Sequence, residues 1–382
     1  MDELGLSREK VLELLERAYD QDHHFDEGRV LASMCTKPHE LAIEAHIKFI
    51  ETNLGNPGLY PGTKALEKEV ISILGKLLHC PGVPGHMTSG GTESNITALW
   101  VAKKEVGKSE ILFPKNIHFS IKKAIDLLNL KPIEIDLDEN YCMSIDDLEV
   151  KLSDNTAAVV CLAGATELGG IDPVEKISQL CSEKVFLHVD AAYGGFIIPF
   201  LKELGYDIPK FDFELAGVST ISIDPHKMGF STIPAGVLLY RSEEYLEQIT
   251  VDAPYLLSMK YSTLSGTRNS AAVAATYAVL RHLGRIGFRK VVSECMKNTQ
   301  YCASKVRELG LELVIEPVTP VIGIRLKNPE TVMRELAKQN WFVSQGKFPP
   351  CLRIVVMPHV TRAVIDEFMP AFENTCSALG EL

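Results

Sequence analysis

The chain has 382 residues, 46% of them hydrophobic and 23% charged, enough apolar material for a sizeable core and more than one structural unit. A formal net charge of -11, from 50 acidic against 39 basic side chains with no lysine/arginine block, argues against a nucleic-acid partner. No apolar run approaches the ~20 residues of a membrane helix, the start Met1-Asp-Glu-Leu-Gly-Leu has no signal-peptide hydrophobic stretch, and nine cysteines without a Cys-x-x-Cys pair point away from a disulfide framework. The expectation is a cytosolic enzyme with reduced thiols.

Taken in chain order, Ser7 precedes apolar residues at helical spacing (Val11, Leu12, Leu14, Leu15, Ala18, Tyr19), so a capped helix is expected, its stripe facing core or a dimer partner. His23-His24 with Asp20, Asp22 and Asp26 lacks a recognised ligand spacing and reads as a solvated helix end, so no metal is expected. Asn53 to Gly62, with its glycines and prolines, reads as an ordered loop. From Thr63 to about Leu246 short apolar runs alternate with helical patterns, the signature of a doubly wound parallel sheet. A long helical stretch follows from Ser270 to Leu309, and Leu311–Ile315, Val321–Leu326, Trp341–Ser344 and Cys351–Val356 read as a second, smaller set of strands. This divides the chain into a helical segment (1–50), a large domain (51–290) and a small carboxyl-terminal domain (291–382).

Four segments carry chemistry. Met87-Thr-Ser-Gly-Gly-Thr-Glu-Ser-Asn95 runs into a helical stretch; its glycines, hydroxyls and helix amino end suit an anion, or Thr92 or Ser94 simply caps the helix. It is neither a Walker A loop nor a dinucleotide fingerprint. In Asn116-Ile-His-Phe-Ser120, His118 follows a strand-like run, where an imidazole either stacks on a planar ring and exchanges protons or hydrogen-bonds at the surface. In Glu183-Lys-Val-Phe-Leu-His-Val-Asp-Ala-Ala-Tyr-Gly-Gly195, Asp190 lies just beyond the apolar part of a short strand; it either caps the next helix or pairs with a cationic ring nitrogen. Finally, Ala216–Ile223 reads as a strand, and Asp224-Pro-His-Lys227 beyond it places an amine beside a histidine, where a lysine can condense reversibly with an aldehyde.

Taken together, Ser89-Gly-Gly-Thr-Glu93, Ile117-His-Phe-Ser120, Ala163-Gly-Ala-Thr-Glu-Leu-Gly-Gly-Ile-Asp-Pro173, His188-Val-Asp-Ala-Ala192 and Asp224-Pro-His-Lys227 resemble the group II pyridoxal-phosphate amino-acid decarboxylases over nearly the whole chain. Ser33-Met-Cys-Thr36, Thr52–Thr63, Val251-Asp-Ala-Pro-Tyr255 and Leu352–His359 are similar to the archaeal tyrosine/aspartate branch. The resemblance implies an α/β, fold-type I (aspartate aminotransferase-like) architecture: a large, mostly parallel seven-stranded sheet domain, a small carboxyl-terminal α/β domain, and a homodimer with active sites at the interface. It implies pyridoxal 5'-phosphate as cofactor and assigns each residue a place. Lys227 forms the covalent link, Asp190 pairs with the ring nitrogen, His118 stacks on the ring and Ala192 lies against its other face. Thr166 stands near the ring hydroxyl, while Ser89, Gly90, Gly91, Thr92 and His226 hold phosphate, helped by Ser265 and Thr267 from the neighbouring subunit. Tyr255 resembles the loop tyrosine that protonates the product, in competition with His118. Leu59 and Tyr60 would reach the partner's pocket, and Arg353 would hold a substrate carboxylate or else make a structural salt bridge. Ala165 departs from the threonine frequent in close relatives, removing one hydroxyl. The implied reaction is decarboxylation of tyrosine to tyramine or of aspartate to β-alanine. Glutamate decarboxylation, amino-group transfer, a sphingosine-phosphate-type lyase and a non-catalytic binding relative are the alternatives.

Overall fold

The computed structural model describes residues 3–181, 185–256 and 260–382. Glu183 and Lys184, at the start of one expected strand, and Leu257, two residues beyond Tyr255, lie outside the described residues.

Seven strands form one sheet: β1 Gly85–Thr88, β2 Glu110–Pro114, β3 Lys131–Ile135, β4 Thr156–Leu162, β5 Phe186–Asp190, β6 Val218–Ile223 and β7 Gly236–Tyr240. Their spatial order is β1-β7-β6-β5-β4-β2-β3, and only β7 runs against the others. Every residue of β4, β5, β6 and β7 is buried. With both faces covered, these strands read as continuous apolar runs instead of alternating ones. β3, Lys-Pro-Ile-Glu-Ile at the sheet edge, is mostly exposed, and its charges and proline suit an edge. The register sets Leu162, Asp190 and Ser222 level with one another, so β4, β5 and β6 end together. That shared carboxyl edge is where a parallel sheet offers a ligand site.

Beyond a two-stranded ribbon of β8 (Val251–Asp252) and β9 (Lys260–Tyr261), a second antiparallel sheet consists of β10 (Val321–Ile324), β11 (Ser344–Lys347) and β12 (Pro350–Val355), with β12 central. Two strand expectations shift here. Leu311–Ile315 runs beside β10, with the Val314 N–H donating to Gly323 O (2.8 Å) and Leu313 bridging Ile324, but builds no strand of its own. The strand expected at Trp341–Ser344 begins only at Ser344; Phe342 instead pairs with Val30 in an isolated parallel bridge. The real strand, Ser-Gln-Gly-Lys, is an outer strand whose polarity hides it from a hydrophobicity reading.

The helix Ser270–Glu308, capped by Asn269, is interrupted at Gly284 (φ 55°, ψ -172°). Its first part, from Ala272 to Met296, packs into the core of the large sheet, and Cys302, Ala303 and Val306 pack with Trp341, Phe368 and Phe372 in a second core. The amino-terminal helix Arg8–Tyr19 forms as expected, with Ser7 Oγ accepting from Lys10 N (3.2 Å), yet none of its residues is buried. Its apolar stripe is therefore not core of this chain. The expected loop 53–62 is shorter than read: Pro61, with its φ pre-set for the first helical position, opens the helix Pro61–Leu77, which takes in Gly62. Among the described residues, no helix is long and apolar enough to cross a membrane.

Candidate active site

At the shared edge of β4, β5 and β6 a cleft of about 280 Å³ is lined by Ser89, Gly90, Gly91, Thr92, His118, Thr166, Asp190, Ala192, His226 and Lys227. These ten expected site residues, drawn from five separate segments, meet in one place. The cleft also takes in Asn95, Tyr193 and Asp224, which the sequence reading did not single out.

The helix Gly91–Val106 presents its amino end to the cleft behind Gly90, whose φ of 139° suits glycine. A Cβ at Gly90 would lie 3.2 Å from His226 Cε1, and one at Gly91 would lie 3.1 Å from Asp224 Oδ2, so side chains here would crowd the cradle. The N–H of Ser89 is committed to Glu93 Oε2 (2.7 Å). An anion therefore draws on the first-turn N–H groups of the helix and on hydroxyls.

Asp190, the last residue of β5, is held on both oxygens. Asn95 Nδ2 donates to Oδ2 (2.7 Å), while Ala192 N (3.0 Å) and Ser222 Oγ (3.3 Å) donate to Oδ1. Burial alone would push its carboxyl up; Lys227, His188 and these donors outweigh burial and hold it below the usual carboxylate range. Asn95 is the hub: Nδ2 also reaches Ser120 Oγ (2.8 Å), and Oδ1 accepts from Ser222 Oγ (3.1 Å) and faces His188 Nε2 (2.9 Å). Burial takes His188 down to about 4, so it is neutral, with Nε2 donating to Asn95 and Nδ1 facing the Thr220 hydroxyl (2.9 Å). Ser120 carries the chain on to His118 Nδ1 (2.8 Å), and burial lowers His118 as well.

Lys227 follows β6 in a turn whose backbone N–H donates to Asp224 O (3.0 Å), and its Nζ lies 3.1 Å from Asp224 Oδ2. Burial would lower the amine, but the attraction of Asp224 and Asp190 prevails and raises it. Asp224 Oδ1 is buried with no hydrogen-bond partner among the described residues. His226 donates from Nδ1 to Ala235 O (2.5 Å), leaving Nε2 3.8 Å from Asp224.

Thr166 sits in a turn gripped by the small sheet. Glu167 Oε2 accepts the Phe348 N–H (2.7 Å), Leu168 packs with Val314 and Cys351, and Thr319 Oγ1 donates to Gly169 O (3.0 Å). Asp172 ties the turn's far end to β4 by accepting from Leu162 N (2.7 Å) and Met143 N (2.8 Å); burial raises it to about 6.

The remaining expected residues do not line this cleft. Ser265 and Thr267 back the cradle loop from behind, Ser265 Oγ donating to Glu93 Oε1 (2.8 Å). Tyr255 is 85% exposed, Leu59 is exposed, and Tyr60 is half-buried just ahead of the helix Pro61–Leu77. Arg353 is buried; its Nη1 donates to Ala32 O (3.0 Å) and Ser344 Oγ (2.9 Å), and Nε has no partner among the described residues. No carboxylate lies in salt-bridge contact with it among the described pairs, and burial brings it down to about 10.

A lysine amine, a carboxylate held ionised, a flanking imidazole and a glycine-lined helix end make a set fit for a phosphorylated aromatic aldehyde. Comparison with known proteins agrees. Residues 24–327 match the pyridoxal-dependent decarboxylase conserved domain, and the chain belongs to this family, whose cofactor is pyridoxal 5'-phosphate. More particularly, it is 44% identical over 380 residues to the L-aspartate/L-glutamate decarboxylase of Pyrococcus horikoshii, covering 98% of this chain and 99% of that one. It is also 44% identical to a probable L-tyrosine/L-aspartate decarboxylase of Methanocella arvoryzae, over 96% of this chain and 98% of the relative. Among solved structures, a sphingosine-1-phosphate lyase of Burkholderia pseudomallei superimposes with a TM-score of 0.90 at 26% identity, covering 99% of this chain and 92% of that one. Glutamate decarboxylase of Lactobacillus brevis shares the fold, with a TM-score of 0.90 at 20% identity over 100% of this chain and 95% of that one. The protein is a pyridoxal-phosphate-dependent carboxy-lyase of the fold-type I architecture.

Proposed function

We propose that the protein decarboxylates an L-amino acid, tyrosine to tyramine or aspartate to β-alanine, and so serves methanofuran or coenzyme A biosynthesis. The observation that carries the reading is the meeting of Lys227, Asp190, His118 and the Gly90-Gly91 cradle in one cleft at the carboxyl ends of the parallel strands. The relatives named for aspartate and for tyrosine/aspartate support the choice of substrate. Glutamate is the second reading, favoured by the relative named for aspartate and glutamate.

Bound pyridoxal phosphate supplies an electron sink for the pair released as carbon dioxide leaves. Lys227 would anchor it and give way to the substrate amine. Asp190, held ionised by Asn95, Ser222 and Ala192, keeps a proton on the ring nitrogen. His118 would stack on the ring from one side and Ala192 would lie against its other face, with Thr166 near the ring hydroxyl. Gly90, Gly91, Thr92, the Ser89 hydroxyl and His226 would hold the phosphate. Arg353, a buried cation with no carboxylate in salt-bridge contact among the described residues, suits the carboxylate of a substrate. Tyr255 or His118 returns the proton to carbon.

The same reading makes the protein a cytoplasmic homodimer with shared sites. The exposed stripe Val11, Leu12, Leu14 and Leu15, and the outward Tyr255 and Leu59, suit contact with a second copy, as do Tyr60, Ser265 and Thr267 serving the partner's cleft. The division into 1–50, 51–290 and 291–382 belongs to this reading too. The test is mass-spectrometric detection of products from tyrosine, aspartate and glutamate supplied separately. Lys227-dependent tyramine or β-alanine is expected. γ-Aminobutyrate alone would select glutamate, and no amine from any of the three would reject the reading.

A further inference from the structure

Two carboxylates face Lys227, and they are not equivalent. Asp190 is bound on both oxygens by three donors, which commits it to a standing negative charge. Asp224 is buried as deeply, yet its Oδ1 has no partner among the described residues, and Oδ2 has Lys227 Nζ at 3.1 Å with His226 Nε2 farther off at 3.8 Å. The turn that closes by Lys227 N donating to Asp224 O (3.0 Å) brings the two side chains onto the same side. A carboxylate with an unengaged oxygen beside the amine has lone pairs free to receive a proton when the lysine does its chemistry.

We infer that Asp224 is the proton partner of Lys227: it holds the resting amine as an ammonium, takes that proton over when the amine turns nucleophile, and thereby sets the pH at which the chain captures pyridoxal phosphate. The inference rests on the reading of Lys227 as the anchoring amine. The step balances without another reagent. The Lys227 ammonium gives one proton to Asp224, and the freed lone pair on Nζ bonds to the aldehyde carbon. The carbon–oxygen double bond breaks, and the oxygen leaves as water, taking with it the two hydrogens that nitrogen still carried. The proton held by Asp224 can then return to the new carbon–nitrogen double bond, so water is the only loss.

The other titratable groups around the amine do not replace this carboxylate. Asp190 attracts the ammonium from the end of β5, but its lone pairs are engaged by Asn95, Ala192 and Ser222. Cys35, on the amino-terminal segment, has its thiol pushed up by burial. His118 is lowered by burial, and His226 uses Nδ1 on Ala235. Asp224 alone among them is in hydrogen-bond range of Nζ.

The test uses the full-length protein freed of cofactor. Pyridoxal phosphate is added over a range of pH, and the rate at which the visible band of the carbon–nitrogen double bond appears is recorded. In Asp224→Asn the midpoint of the rate–pH curve is expected to fall by about one to three units, and below both midpoints each unit appears as about tenfold faster capture. Asp224→Glu is expected to stay near the unaltered midpoint. Asp224→Ser, also uncharged, carries the same expectation as Asp224→Asn should the asparagine disturb folding. An unshifted midpoint in the uncharged variants, with Lys227→Ala forming no band, would overturn the inference and leave Lys227 as the anchor. A band formed by Lys227→Ala would overturn the anchoring reading and this inference with it.

Discussion

The ion pairs Arg268–Glu67 and Lys227–Asp224 both use a buried carboxylate, and they are built to opposite ends. In Arg268–Glu67, Nη1 meets Oε1 at 2.5 Å and also donates to Met87 O, Nη2 reaches Leu54 O, and Glu67 further accepts from Met87 N (3.0 Å) and Lys64 Nζ (2.8 Å). Both oxygens of that carboxylate are engaged, and the pair ties the helix Pro61–Leu77 to β1 and to the start of the long helix at Ser270. In Lys227–Asp224 one carboxylate oxygen has no partner among the described residues and the amine faces a cleft. Burial of charge in itself therefore says little. A pair whose carboxylate is engaged on both oxygens is framework, whereas a pair whose carboxylate keeps an oxygen without a partner beside a cavity is available for chemistry.

The largest expected effect comes from the cleft. Lys227→Ala should lower turnover by about 10³-fold or more, and cost only about 1 kcal/mol of stability, because the space the side chain vacates opens Asp224 to the water of the cleft. Product formation and urea unfolding measure the two; near-normal turnover would break the contrast. Glu67→Gln should do the reverse, losing about 3–5 kcal/mol of stability because a buried guanidinium loses its counter-ion, while turnover per folded molecule stays close to normal.

That second variant also sharpens the contrast by pH. Burial would raise Glu67, but Arg268 and Lys64 outweigh it and hold it at about 2, below its ordinary 4.5. A depressed carboxylate stabilises fully above its unfolded value and loses that contribution as pH falls towards the folded one. The gap in unfolding free energy between the unaltered protein and Glu67→Gln should accordingly narrow between about pH 5 and about pH 2. A gap that stays constant across that window would mean that the pair's charge contributes nothing.

The smallest expected effect tests how Asp190 is held. Asn95→Ala should reduce turnover about ten- to hundredfold, as loss of an outer hydrogen-bonding partner commonly does. Losing a donor lets Asp190 drift up, so the acid limb of the turnover–pH profile should move to higher pH. An unmoved limb with reduced activity would reduce Asn95 to a packing role.

How much of this could be read before folding depended on where each residue stood in its element. Asp190 ends a buried strand, Lys227 follows one, and Gly90-Gly91 leads into a helix, so chain position made them candidates and the family resemblance gave them roles. Asn95 is a polar residue inside a helix, and only the sheet beneath that helix reveals what its amide faces. Tyr193 had no local signal at all. Asp224 did have one, its three-residue spacing to Lys227 across a turn after a strand. In the small sheet, Leu311–Ile315 looked more like a strand than Ser344–Lys347 does, because β-rich composition marks burial whereas an outer strand needs only a free neighbour to pair with.

The grip of the small sheet on the turn that carries Thr166 has a mechanical consequence. Glu167 holds Phe348, Leu168 is wedged against Val314 and Cys351, and Thr319 pins Gly169. Turn and hairpin thus act as a single lever with its short arm in the cleft. A displacement of the β11–β12 hairpin must either break the Glu167 hydrogen bond or tilt the turn with it. Stiffness added at residues 344–350, well outside the cleft, is therefore felt at the threonine on its wall.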